Sequence, residues 1–247
     1  MKTCVFTTEA CIRSAAEQIL SHLENKADAS LAADAGDEAL RVLRCAAELA
    51  KERGIPLREA RVFAVCEFAG MDPLDPNSTR QRLLQAFFGD ADADEEKLYV
   101  PDAEEPAAFD KLISAAGGID LAVLSLGENA RVGFNEPATQ FDTHTHIQKL
   151  TDRTKRELAP LFGGEDAVPP RGVTMGFREL CAAREIIVTA FGEEKSKALY
   201  HMLYARDDSV YPAAFLQLPP NVTVYADPAA AKQLGEKSFD AVMFNGD

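Results

Sequence analysis

Short apolar runs alternate along the chain with stretches whose apolar residues recur every three or four positions. Leu121 to Leu124 is apolar at every position, and Ile186 to Val188 is too. Strands of that kind are covered on both faces, which is the habit of a parallel sheet. The runs predict strands at Cys4–Thr7, Ser30–Ala33, Arg61–Glu67, Lys97–Val100, Ile119–Leu126, Glu185–Phe191, Val222–Ala226 and Asp240–Phe244. Between them the helical spacing predicts Glu9–Glu24, Glu38–Arg53, Ser78–Phe88, Glu105–Ala116, Thr151–Leu161, Phe177–Ala182 and Glu193–Ala205. In the second of these, Leu40, Leu43, Ala47 and Ala50 line one face. Gly54 then ends the helix and Pro56 prevents its resumption. The order predicts one α/β domain over residues 1–247, with a mainly parallel open sheet and helices on both faces. The longest irregular stretch runs from Gly127 to about Leu150. It follows the most apolar strand, and in open α/β sheets ligands sit beyond the carboxyl ends of the strands.

Charge narrows the choice of partner. Forty acidic against 26 basic side chains give a formal charge of −14, a field that repels nucleic acid and anionic lipid. No apolar run approaches the roughly 18 residues of a membrane span, and the start lacks the pattern of a secretory signal. The five cysteines are scattered without a CxxC pair, as suits a reducing cytoplasm. His144 and His146 form a lone HxH, and the sequence marks no further metal ligands, so no metal site is expected.

The run Leu124-Ser125-Leu126-Gly127-Glu128-Asn129-Ala130-Arg131-Val132-Gly133-Phe134-Asn135-Glu136-Pro137 resembles the signature of the glucosamine-6-phosphate deaminase/isomerase family, approximately LGxGxDGHxxFNEP. The resemblance continues through Arg171–Gly176, Ala183–Glu185, Gly192–Lys195 and Pro212–Leu218, blocks most similar to the galactosamine-6-phosphate branch. It implies a Rossmann-like fold of the sugar-phosphate isomerase type and a place in amino-sugar metabolism in the cytoplasm. No cofactor is implied; the ligand is a small molecule of the sugar-phosphate kind, and members differ in assembly, so a homo-oligomer is compatible.

Against that pattern the proton-transfer positions are replaced. The family's DGH triplet reads Asn129-Ala130-Arg131, and Cys66 stands where the resemblance implies a proton-shuttling Asp; Glu136 of the FNEP block is kept. Isomerising an aldose needs a group that accepts a carbon-bound proton and returns it. Asn129 holds no such proton, and Arg131 stays protonated because its pKa exceeds about 12. Cys66, with an ordinary pKa of about 8.5, is mostly thiol at neutral pH. Glu67 is the neighbouring carboxylate able to substitute. The candidate catalytic residues are therefore Glu136, Glu67 and Cys66.

The phosphate cradle is altered too. Where the family has a turn resembling TGGT, this chain has Asp34-Ala35-Gly36-Asp37-Glu38, and Asp34 or Asp37 is expected to cap the following helix. Lys195 matches a family lysine that contacts phosphate, and a cation at a helix start is otherwise unfavourable. Candidate ligand-binding residues are Gly36, Gly127, Asn129, Arg131 and Lys195. Arg131 either binds an anion or pairs structurally with Glu128 or Glu136. Glu136 either keeps a functional role or shapes the turn before Pro137, and Cys66 is either a reactive thiol or a small buried residue. Three functions remain in view: a family member that has lost the reaction and at most binds a sugar-phosphate-like ligand; an active divergent isomerase/deaminase using Glu136 with Glu67 or Cys66, and Lys195 with Arg131 for phosphate; or a different reaction on a non-phosphorylated or cationic ligand, favoured by the acidic loop at Asp34–Glu38.

Overall fold

The computed structural model describes residues 1–89, 92–205 and 210–235. Among the described residues, seven strands make the main sheet: β1 (Lys2–Val5), β2 (Ser30–Ala33), β3 (Arg61–Ala64), β5 (Leu98–Tyr99), β6 (Leu121–Ser125), β9 (Glu185–Ala190) and β10 (Val222–Ala226). Their order is β1-β10-β9-β6-β2-β3-β5, and every pairing is parallel. Parallel pairing places all the carboxyl ends on one side of the molecule. The strand predicted at Asp240–Phe244 lies outside the described residues.

Consecutive apolar residues cover both faces, as expected of buried parallel strands. Leu31, Ala33, Leu121, Val123 and Ile187 pack with Ile19 and Leu20 of α1 (Thr8–Asn25) and Leu43 of α2 (Asp37–Arg53). The intervening Ala32, Ala122, Leu124 and Val188 pack with Phe109 and Ile113 of α4 (Pro106–Ala115), Phe177 of α6 (Phe177–Cys181) and Leu199 of α7 (Ser196–Tyr204). Each large side chain so buried contributes about 1.5–3 kcal/mol. Helices therefore cover both faces, and α2 ends at Gly54, whose φ of 67° is the left-handed conformation of a C-terminal cap.

A second sheet departs from the expectation. The run Arg61–Glu67 is two strands, because Val65 passes the chain from one sheet to the other. Its N–H donates to Ala33 O of the main sheet, and its carbonyl accepts from Met175 N at 2.7 Å. From there β4 (Cys66–Phe68) pairs antiparallel with β8 (Arg171–Thr174), which pairs with β7 (His146–Lys149). The strand β7 lies inside the stretch expected to be irregular. Phe68 packs between Phe134 and Phe162, with ring centroids 5.1 and 5.0 Å apart, and so ties this sheet to the loop after β6 and to α5 (Asp152–Phe162). The helix expected over Ser78–Phe88 is α3 (Thr79–Leu83) followed by a π-helical turn, Leu84–Phe88. Among the described residues, no helix is long and apolar enough to cross a membrane.

Candidate functional site

A cavity of about 270 Å³ opens beyond the carboxyl ends of β2, β3 and β6. The loop after β2 supplies Asp34 and Gly36, β4 supplies Cys66, and the end of β6 with its following loop supplies Ser125, Gly127 and Arg131. Glu38 reaches it from α2, Glu157 from α5 and Lys195 from the 3-10 turn that opens α7.

The start of α2 is capped from another strand. Ser125 Oγ accepts from the N–H of Ala39 at 3.0 Å, in the first turn of the helix. This corrects the expectation that Asp34 or Asp37 caps it: the N-cap residue is Gly36, without a side-chain bond. A Cβ on Gly36 would lie 2.4 Å from Ser125 Oγ, so the close approach requires glycine there. Asp37 is exposed and pairs with Arg82 at 2.5 Å. Asp34 is buried, and its Oδ2 accepts from Ser125 N at 3.1 Å. Burial pushes the Asp34 carboxyl above its ordinary range, against the pull of Arg131 and of the Ser125 and Ala35 N–H groups.

The buried cations are already paired. Arg131 folds back over Gly127, where a Cβ would meet its Cγ at 2.3 Å. Its Nη1 donates to Gly133 O at 2.7 Å, and its Nη2 lies 3.2 Å from Glu157. The structural partner of Arg131 is thus Glu157, not Glu128 or Glu136, and Glu128 pairs with Arg153 instead. Lys195 Nζ donates to Glu157 at 2.7 Å and lies 3.5 Å from Glu38. Arg131, Glu157, Lys195 and Glu38 form one buried chain of alternating charge. Burial acts to raise the Glu157 pKa, but Arg131 and Lys195 outweigh it and hold the carboxyl below its ordinary range. At the far end burial prevails over Lys195 and raises Glu38.

Cys66 lines the cavity as a buried thiol, its Sγ 4.0 Å from Asp34 Oδ1. Burial first, then the charges of Asp34 and Glu67, push its pKa well above the ordinary thiol value. Glu67, Asn129 and Glu136 are not among the lining residues. Glu67 accepts from the N–H groups of Phe68, Thr79 and Arg80, which makes it the brace of the α3 start. Glu136 is fully buried and accepts from Asn129 Nδ2 at 2.6 Å and from the N–H and hydroxyl of Thr151 at 3.1 Å. Asn129 in turn accepts from Arg131 N at 3.2 Å. The retained FNEP carboxylate thus joins the β6 loop to the start of α5. The structure gathers Gly36, Cys66, Gly127, Arg131 and Lys195 at the cavity and sets the other three candidates around it.

Glu157 and the cavity position of Asp34 are among the features that the sequence does not reveal. Glu157 sits four residues after Arg153, a spacing that reads as a solvated ion pair on a helix surface. Asp34 carried a signal, a carboxylate at a strand end, but capping was the competing explanation.

The family model describing glucosamine-6-phosphate isomerases and 6-phosphogluconolactonases matches residues 7–225. The chain belongs to this family. It is 35% identical over 194 residues to the glucosamine-6-phosphate deaminase of Halalkalibacterium halodurans, covering 76% of this chain and 79% of that protein. It is 31% identical over 229 residues to that of Bacillus velezensis, covering 90% and 95%. A solved monomeric glucosamine-6-phosphate deaminase superposes with a TM-score of 0.91 at 27% identity, over 94% of this chain and 99% of that one. The 6-phosphogluconolactonase of Trypanosoma brucei, at 17% identity and a TM-score of 0.77, shares the fold. As a member of the amino-sugar-phosphate deaminase/isomerase family, the chain has its cavity where such folds bind ligands, at the strand carboxyl ends.

Proposed function

We propose that this chain is a ligand-binding member of the family that does not carry out the family's proton transfers, its ligand a small sugar or sugar phosphate. The observation that carries this reading is that Arg131 and Lys195, the buried cations of the cavity among the described residues, are each paired with a carboxylate of the protein itself. A phosphate arriving at Lys195 must displace Glu157 and Glu38. The groups expected to move protons fare no better. Cys66 is held as a thiol, Arg131 stays charged, and Glu67 and Glu136 spend their oxygens on backbone and side-chain donors. Losing one general acid or base commonly costs about 10²–10⁴-fold, so several losses together leave little turnover.

One observation favours a second reading, that of a residual isomerase. Asp34 is a buried carboxylate at the cavity with a raised pKa, which is the condition of a general base. Asp34→Asn separates the two: binding survives it under the first reading, and turnover is lost under the second.

The test of binding is a thermal-shift series with glucosamine, galactosamine and their 6-phosphates, since a ligand selective for the folded state raises the apparent stability. A saturable rise with at least one of them supports a binding protein. No shift with any of them contradicts it.

A further inference from the structure

The fold supplies what the HxH motif lacks in the sequence. His144 lies in the loop before β7, and its Nδ1 is 2.6 Å from Glu179 Oε1 and 3.6 Å from Asp110 Oδ2. Asp110 comes from α4 and Glu179 from α6. One ligand atom from each of the three residues can be chosen so that all lie within 4.8 Å of one another. A tetrahedral ion with bonds of about 2.0–2.1 Å keeps its ligands about 3.3 Å apart. The observed separations bracket that value. None of the three residues lines the cavity described above.

Two further observations set this group apart from a chance cluster. The loop is fixed by contacts outside the cluster: Thr143 O accepts from Arg178 N at 3.2 Å, and it lies 1.8 Å from where a Cβ on Gly176 would be. Asp110 is oriented by the hydroxyl and N–H of Thr145. Independently, Glu179 Oε2 is buried without a hydrogen-bond partner among the described residues, on a side chain only 10% exposed. An unsatisfied buried polar atom is destabilising, and a cation bound to that carboxyl removes the deficit. His144 is 55% exposed, which leaves a solvent side for water ligands. His146 is engaged elsewhere, with His144 O and Gln148.

We propose that Asp110, His144 and Glu179 bind a divalent transition cation of the zinc class, with water completing the coordination. One imidazole and two carboxylates suit Zn²⁺ and its spectroscopic substitute Co²⁺. On binding, the cation takes the place of the hydrogen between His144 Nδ1 and Glu179, and the imidazole coordinates in its neutral form with its hydrogen on Nε2. Binding would join α4, α6 and the loop before β7 into one unit.

The test uses the full chain stripped with a chelator and titrated with ZnCl₂ by calorimetry, with CoCl₂ absorption as a second readout. One equivalent of saturable uptake is expected, together with a higher Tm and visible Co²⁺ bands of a nitrogen–oxygen site. His144→Ala and Glu179→Gln are each expected to weaken uptake at least tenfold. Circular dichroism checks their fold, and the exposed His144 leaves no core vacancy. The thiols are controlled by Cys45→Ser and Cys181→Ser, which should change nothing. Absence of saturable uptake, or uptake that survives His144→Ala, overturns the proposal.

Discussion

Lys195 Nζ lies 2.7 Å from Glu157 Oε1, and both side chains are largely buried at the cavity. The glutamate also serves Arg131, so one carboxylate neutralises two cations. Removing it takes the paired carboxylate from Arg131 and leaves Lys195 with Glu38 alone, at 3.5 Å. Breaking a buried ion pair from one side costs about 3–5 kcal/mol. Glu157→Gln is therefore expected to lower Tm, and inorganic phosphate should restore part of the loss by replacing the missing charge. Thermal melts of variant and parent with and without phosphate check this. Equal phosphate effects on the two would show that Lys195 and Arg131 are not the anion-accepting groups.

Asp34 carries the opposite sign of pH dependence from a salt-bridged carboxylate. Its folded pKa is raised, chiefly by burial, so its ionisation opposes folding above that pKa. The penalty fades as pH falls through the folded value and is gone below the unfolded value of about 3.9. Asp34→Asn should raise Tm at neutral pH by a few degrees, the size expected of about 1 kcal/mol in a chain of this length. The gain should shrink in acid. A variant less stable at neutral pH would show that the charge of Asp34 is needed beside Arg131.

Asp120 behaves conversely. Burial acts to raise its pKa, but Lys26 at 2.7 Å, the Ser30 N–H at 2.8 Å and Arg184 at 2.7 Å outweigh it and hold the carboxyl low. A depressed carboxylate stabilises the fold above its unfolded pKa, about 3.9, and that contribution is lost as pH falls through the folded value. Asp120→Asn should cost stability at pH 7 and nothing at the acid end. Denaturant melts across that range would reveal a pH-independent cost if the bond to Ser30 alone mattered.

Gly176 leaves no room for a side chain, because an added Cβ would sit 1.8 Å from Thr143 O, a backbone atom. Gly176→Ala should destabilise by about 3 kcal/mol or more, as overpacking against an unyielding neighbour does. A urea midpoint unchanged from the parent would mean that the loop before β7 is free to move away.

The main sheet was legible because its strands are apolar at consecutive positions. Leu121, Ala122, Val123 and Leu124 are all buried, and nothing but coverage on both faces explains such a run. The small sheet was not legible. His146, Ile147, Gln148 and Lys149 form β7 with no apolar alternation, and Ile147 is exposed; β8 contains Gly172, which lacks a side chain and approaches Phe134 closely. Their pairing is set by the partner strands rather than by their own residues. Within the site, Gly36, Gly127, Arg131 and Lys195 could be placed through the family pattern. The role of Ser125 as the cap of α2, and of Glu157 as the common partner of Arg131 and Lys195, depends on elements distant in sequence. Helix periodicity assigns Glu157 a face but not the cavity that the face meets.

The central claim is that this cavity no longer moves protons on a sugar. The most direct measurement is to incubate the protein with glucosamine-6-phosphate and galactosamine-6-phosphate in D₂O and follow C1 and C2 by NMR, with ammonia assayed in parallel. The account predicts no enzyme-dependent deuterium at either carbon and no ammonia. Deuterium entering C1 or C2 in proportion to protein concentration would contradict it, and its loss in Asp34→Asn would name the base.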